Sequence, residues 1–298
     1  MSGTSDTSAA TGVAIMAAAM LIAPAMDLFA KLATAYVMPG EVAFGRFVAQ
    51  TLFLLPVVFW VREWGWPRPA HLLAGLCAAI AILSINTALA VMPIANAIAI
   101  FFVEPLILTL LSAWVLKERL GWRRLSAVGA GLVGAMIVLR PNLAAYGWEA
   151  ALPLVTAVAF ACYMLILRVM SPGGGRIGTQ FWIGATAAAV LGLALLAGTA
   201  AEVASLTLTW PPVEALACMV AAGALACVVH QMIAQALARA EAGLVAPLQY
   251  LEIVGATAIG WAVFGDFPDS LTWIGTLIII AAGVYVFRRE RILAMGAS

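Results

Sequence analysis

Charge is what this sequence has least of. Of its 298 residues only 10% are Asp, Glu, Lys or Arg, while 65% are hydrophobic and the mean hydropathy is +1.08. A soluble domain carries about 25% charged residues, and the shortfall leaves too little polar surface to cover a water-soluble globule. The chain is therefore read as an integral membrane protein. A net charge of +1 offers no basic stripe to neutralise phosphates, which excludes nucleic acid as a partner. Lysine is nearly absent: neither Lys31 nor Lys117 is followed by Ser or Thr, so there is no Walker A motif and the chain does not itself burn ATP. The four cysteines (Cys77, Cys162, Cys218, Cys227) lie in apolar stretches with no CxxC spacing, so no metal and no cofactor is expected. HExxH, G-x-S-x-G and Asp-rich metal motifs are missing, which argues against a membrane-embedded enzyme. A passive channel would want a ring of like charges or polar residues, and none is visible. Residues 1–11 lack the basic start of a signal peptide and are expected to be a short disordered tail.

What is present is apolar runs of membrane-spanning length, about 20 residues each. Ten are counted: 12–35, 40–61, 69–91, 94–115, 122–140, 147–170, 177–198, 213–238, 242–263 and 270–288. Proline, glycine and charge mark the breaks between them, as at Met38-Pro39-Gly40, Arg140-Pro141-Asn142 and Trp210-Pro211-Pro212; Met92-Pro93 rests on a single proline. The chain also repeats itself. A shift of 148 carries Ala74-Gly75 onto Ala222-Gly223, Ala88-Leu89-Ala90 onto Ala236-Leu237-Ala238, Glu104 onto Glu252, and Glu118 onto Asp266. Five spans per copy is an odd number, so the second copy must lie inverted, which is the plan of a carrier that binds substrate between its halves near mid-membrane. The expected fold is thus an all-α membrane protein of ten transmembrane helices in two five-helix inverted repeats, 12–140 and 147–288, with a tail over 289–298.

Orientation follows from the cations. On the side of the chain ends stand Arg62, Arg68, Lys117, Arg119, Arg123, Arg124, Arg168, Arg176, Arg239, Arg288, Arg289 and Arg291, twelve in all; the other side has Arg140, with Lys31 near it. Both termini are predicted to be cytoplasmic.

Glu104-Pro105 within the fourth span, and Leu116-Lys117-Glu118-Arg119-Leu120 at its end, resemble the EamA-type drug/metabolite transporter superfamily. Glu252 and Gly265-Asp266 match more loosely in the second half, where Ile253 stands in place of the expected proline, and Lys31 and Arg168 fit the family's cation at the ends of the first and sixth spans. Among members, the chain is most similar to bacterial exporters of amino acids, including the aromatic amino-acid and methyl viologen branch. The resemblance implies export of amino acids or related small metabolites across the inner membrane. The alternatives are a multidrug or cationic-compound carrier, another metabolite carrier of this fold and, less favoured, an enzyme. Partners are then a small-molecule substrate and the lipid bilayer, with monomer and homodimer both open.

Ionisable side chains at bilayer depth are functional hypotheses by default. Glu104 is the most central acid and shares a helical face with Asn96 and Ile100; it suits a substrate ammonium or a proton, or else a helix-packing role. Glu252 is its counterpart. The predicted cavity set is Asn86, Glu104, Tyr163, His230, Gln249 and Tyr250, neutral donors and acceptors that hold a zwitterion without trapping it. Gln231 and Gln235 share one face of the eighth span. Asp27 and Lys31, one turn apart, with Glu41 and Arg46, are expected to form an ion-pair network at the outer side. Pro24, mid-way in the first span, is the predicted gating kink.

Overall fold

The computed structural model describes residues 3–63, 65–116, 121–170, 177–203, 206–240 and 246–295, and among these every regular element is helical. In chain order they are α1 (Gly3–Ile22), α2 (Pro24–Ala33), α3 (Pro39–Val61), α4 (Pro69–Leu89), α5 (Ile94–Phe101), α6 (Glu104–Leu116) and α7 (Trp122–Tyr146). The 3-10 turn Gly147–Ala151 leads into α8 (Leu152–Met170), followed by α9 (Ile177–Ala200) and α10 (Val213–Arg239). A second 3-10 turn, Ala246–Tyr250, leads into α11 (Leu251–Phe264), and α12 (Ser270–Met295) ends the described chain. The charged turn Lys117 to Leu120 and the link Ser171 to Arg176 lie outside the described residues.

Among the described residues, seven stretches are long and apolar enough to cross a membrane: Ala10–Ala33, Pro39–Val61, Pro69–Leu89, Ile94–Val115, Leu125–Leu167, Ile177–Ala200 and Val213–Ala236. Leu125–Leu167 is 43 residues long and holds most of both α7 and α8. Ser270–Val286 is apolar but shorter, and α11 has 14 residues.

The local chemistry explains where helices stop. Pro39 and Pro69 open α3 and α4, where a missing amide costs nothing. Pro93, at φ −59° and ψ 143°, separates α4 from α5, so Met92-Pro93 is a true break and not a kink. Gly265, at φ 74°, closes α11 in the left-handed region that favours glycine. Four sequence expectations are corrected. Residues 3–11 of the expected tail 1–11 are the start of α1, and the last helix α12 continues through 289–295 of the expected tail 289–298. Arg140-Pro141-Asn142 does not end the fifth span, because α7 runs through Pro141 to Tyr146. There the Asn142 side chain donates to the Val138 carbonyl at 2.6 Å and accepts from Asn96 Nδ2 at 2.8 Å, so neighbouring side chains hold the proline-bearing turn. The fourth span is not one rod: Phe102 and Val103 interrupt it between α5 and α6.

Packing is by long helix pairs: α7 with α12, α3 with α9, α4 with α8, α1 and α2 with α10, α3 with α10, and α4 with α9. The interrupted segments cross at the middle, α5 against α11. The largest core cluster joins α4, α5, α6, α7, α8, α11 and α12 around Leu89, Ile100, Leu106 and Ile279.

At the end of the bundle that holds the α2 C-terminus and the α3 N-terminus, two side chains tie elements together. Lys31 Nζ donates to the Met92 carbonyl at 2.6 Å and sits 5.1 Å from the Phe264 ring centroid, tying α2 to the α4–α5 link and to the end of α11. Glu41 accepts from Thr209 Oγ1 at 2.8 Å and from its amide at 3.3 Å. At the other end Glu63 accepts from the Gly178 amide at 3.1 Å, and Trp182 Nε1 donates to the Gly65 carbonyl at 2.7 Å. A charged donor on a carbonyl contributes about 1.5–3 kcal/mol. Lys31→Met is therefore expected to lower the melting temperature of the detergent-purified protein by about 3–9 °C, with each kcal/mol taken as roughly 2–3 °C for a chain of this size. An unchanged melt would show that this tie carries no stability.

Candidate functional site

A cavity of about 480 Å³ lies within the bundle, lined from α1, α2, α3, α4, α5, α6, α8, α9, α10 and α11. Its floor is set by three interruptions. α1 stops at Ile22 and α2 restarts at Pro24; α5 stops at Phe101 and α6 restarts at Glu104; the 3-10 turn Ala246–Tyr250 gives way to α11 at Leu251. Each restart carries an acid in its first turn, where the free amides of a helix N-terminus favour a carboxylate: Asp27, Glu104 and Glu252. All three line the cavity. One cation faces them, Arg46 of α3, with Gln50 one turn on.

From this middle level the lining runs in one direction. Leu54 of α3, Ser112 of α6, Leu167 of α8, Gln180 of α9 and Ala234 of α10 lie towards the α3, α6, α8 and α10 C-termini and the α9 N-terminus. The opposite end is the one tied by Lys31 and Glu41.

The polar wall is mostly unengaged. Arg46 is 6% exposed and its Nε has no partner. Gln50 Oε1 and Glu104 Oε1 are likewise buried without partners. Tyr163 Oη accepts from Gln180 Nε2 at 3.3 Å. His230 Nδ1 lies 2.7 Å from the Ala226 carbonyl, an oxygen that only accepts, so Nδ1 carries the proton and a neutral ring leaves Nε2 as an acceptor. An aromatic wall completes the site. Phe101 packs edge-on to Phe160 at 5.6 Å, and Phe160 packs on Tyr163 at 5.2 Å, all three lining the cavity.

Of the predicted cavity residues, Glu104, Tyr163, His230 and Gln249 line this space together. Asn86 and Tyr250 do not. Asn86 is fully buried in α4 with neither amide atom partnered. Tyr250 follows Gln249 in a 3-10 turn, where successive side chains point about 120° apart; its ring packs on Phe102 at 5.2 Å and its hydroxyl faces Gly283 of α12. Asn96 and Ile100 are not on the Glu104 face, because the break at Phe102-Val103 interrupts the spacing that would align them. Gln231 lines the cavity while Gln235 is exposed.

The expected ion-pair network is also corrected. Lys31 turns to Met92 and not to Asp27, Glu41 engages Thr209, and Asp27 and Arg46 belong to the cavity. Asp27 and Arg46 stay within electrostatic reach of each other there, so of the expected network this one pairing is kept, inside the cavity. Gln50 and Gln180 line the cavity without having been singled out from the sequence, while Asp27 and Arg46, expected in the ion-pair network, and Glu252, expected as the counterpart of Glu104, join the cavity lining. The available signal was Arg46 with Gln50 at i, i+4 inside an otherwise apolar helix.

Pro24 stands at the α1–α2 interruption, where it removes the amide that would reach the Met20 carbonyl. A Cβ on Gly255 of α11 would fall 3.1 Å from Leu21 O and from Pro24 Cγ, so α11 is the seat of this bend. If helix bending here opens and closes the cavity, Pro24→Ala slows transport while the yield of folded protein is kept; unchanged transport rates would remove the idea.

Residues 10–140 match the EamA-like transporter family. The chain is 31% identical over 221 residues to a riboflavin transporter of Rhizobium johnstonii, covering 74% of this chain and 70% of that one. It is 26% identical over 284 residues to an S-adenosylmethionine uptake transporter of Rickettsia felis, covering 94% of each. It is 24% identical over 297 residues to the pseudopaline exporter CntI of Pseudomonas aeruginosa, covering 94% of this chain and 97% of the relative. A crystal structure with 18% sequence identity superposes with a TM-score of 0.61 over 95% of this chain and 99% of the other, which is a likeness of fold. The three relatives differ in substrate and direction, and none of the three is named for an aromatic amino acid or methyl viologen. With a multi-pass helical bundle around a polar cavity and relatives that are transporters along most of its length, this chain belongs to the EamA-like transporter family.

Proposed function

We propose that this protein is a secondary carrier that moves a small metabolite across the inner membrane by alternating access. The observation that carries the reading is the cavity, closed at one end by the Lys31 and Glu41 ties and walled by unpartnered polar groups beside three interrupted helices. Interrupted helices with their polar ends at mid-membrane are how carriers place charge where lipid forbids it. Ten crossings in two inverted halves, 12–140 and 147–288, fit the packing. Pairing the first with the sixth span, the second with the seventh, and so on, exchanges α4–α8 with α10–α1/α2, and α3–α10 with α9–α4, while α7–α12, α3–α9 and α5–α11 map onto themselves. The 43 residues of Leu125–Leu167 are long enough for two of those crossings.

With both termini cytoplasmic, as the cation bias favours, the cavity of this conformer is on the cytoplasmic side. Amino acids remain one substrate class among small metabolites, and export is one direction. The relatives widen the panel to riboflavin and S-adenosylmethionine and include uptake as well as efflux. The test is counterflow in proteoliposomes with labelled amino acids, S-adenosylmethionine and riboflavin, each with and without a pH gradient. Saturable exchange of one compound supports the carrier. Flux that never saturates would support a channel, and conversion of the compound an enzyme.

A further inference from the structure

Arg46 is buried at bilayer depth, 6% exposed; its Nε has no hydrogen-bond partner, and Asp27 is the acid whose charge reaches it. A guanidinium has five donors and no means of losing its charge, and a buried donor left without an acceptor is costly. Along α3 its nearest polar neighbour is Gln50, one turn on, which lines the same cavity. The group therefore faces the cavity for a ligand that brings acceptors. The same cavity carries three acids, Asp27, Glu104 and Glu252, and only one of that cation. A ligand that is anionic overall would meet an excess of like charge, and a simple cation would leave the Arg46 Nε donor without an acceptor. The Phe101–Phe160–Tyr163 wall lines the same cavity.

Resting on the carrier reading above, we propose that the substrate is a dipolar metabolite, whose carboxylate is held by Arg46 and whose cationic centre lies against Glu104 and Glu252, with its apolar or planar body on the aromatic wall. A planar carboxylate matches the fork of the guanidinium in a bidentate pair. Gln50 and the His230 Nε2 acceptor stand beside it for further donors on the ligand. Arg46 Nε and Glu104 Oε1, both buried without partners in the empty cavity, then gain partners from the substrate in the loaded state.

The test is titration calorimetry of the full chain in detergent with two matched sets. One set is tryptophan, tryptamine and indole-3-propionate; the other is S-adenosylmethionine and its decarboxylated form. Riboflavin, which has neither a carboxylate nor an ammonium, is the neutral probe. In at least one set the intact dipolar compound is expected to bind about tenfold or more tighter than its truncated analogues, because a site built around buried polar groups penalises a ligand that leaves them unpaired. Arg46→Gln is expected to abolish the advantage over the decarboxylated analogue while keeping the advantage over the deaminated one; Glu104→Gln does the reverse. Arg46→Lys, which keeps the charge without the fork, falls between. Equal binding of truncated and intact compounds, or saturable counterflow of riboflavin with no binding in either set, would overturn this assignment and leave the carrier intact. Absence of saturable flux for every compound would instead overturn the carrier reading itself.

Discussion

Glu104→Leu is expected to yield a protein that is more stable than the wild type and does not transport. Glu104 is 7% exposed at the head of α6 and its Oε1 has no partner. A buried polar group left unsatisfied costs about 1–3 kcal/mol, and leucine removes that cost with a side chain of similar size. The melting temperature should rise by about 2–9 °C on the scale of a chain this long. Counterflow should fall by about 30-fold or more, since taking away one charge of a buried ligand–protein pair costs about 2–5 kcal/mol. Glu104→Gln should share the loss of transport, and Glu252→Gln should resemble it, because both acids head interrupted segments on the same cavity. A helix-packing role for Glu104 predicts the opposite pattern. The leucine variant would then melt lower or fail to fold, and whatever protein survived would still transport. A stabilised variant with wild-type flux would defeat both accounts.

The difference between these accounts also marks how far the residues could be read without coordinates. Composition and span length were enough for a helical membrane protein, and the break at Met92-Pro93 is where a proline with no amide to offer should put it. Pro141 misled for a reason particular to its neighbours: Asn142 and Asn96 satisfy the turn around it, and that rescue comes from α5, 46 residues away. The interruption at Phe102-Val103 was hidden because both residues are apolar and the run reads as continuous; only Pro105, standing just inside the α6 start, hinted at it. The same blind spot misplaced Asn96 and Tyr250, whose chemistry suits a cavity but whose backbone turns them into the core. Arg46 was misread for the converse reason. An arginine near an acid reads as a surface pair, and only the third dimension turns it inward, away from Glu41 and beside Gln50.

The repeated glycines are where sequence and packing meet most directly, and they carry the largest effect on folding. The 148-residue shift carries Gly75 onto Gly223, and the two lie at corresponding crossings, α4 on α9 and α10 on α3. A Cβ on Gly223 would fall 2.7 Å from Ala49 Cβ, 2.7 Å from the Arg46 carbonyl and 2.9 Å from the Gln50 amide. Two of those three obstacles are backbone, which cannot step aside without parting the helices, and membrane helices rely on such small-residue contacts for their association. Gly223→Val should therefore cost about 3 kcal/mol or more and leave little monodisperse protein after extraction. A Cβ on Gly75 would fall 2.6 Å from Thr186 Cβ and 3.0 Å from the Ile183 carbonyl, so its nearest obstacle is a side chain. Gly75→Ala should be the milder change, and Thr186→Gly should restore much of what Gly75→Ala removes. Ala49→Gly should not rescue Gly223→Ala in the same way, because the α3 backbone remains. The α3 segment pressed by Gly223 is the one that carries Arg46 and Gln50 into the cavity, so any Gly223→Ala protein that folds should bind dipolar ligands less tightly than wild type. A Gly223→Val protein that melts and binds like the wild type would separate the helix contact from the site, and with it the claim that the two halves are held by equivalent crossings.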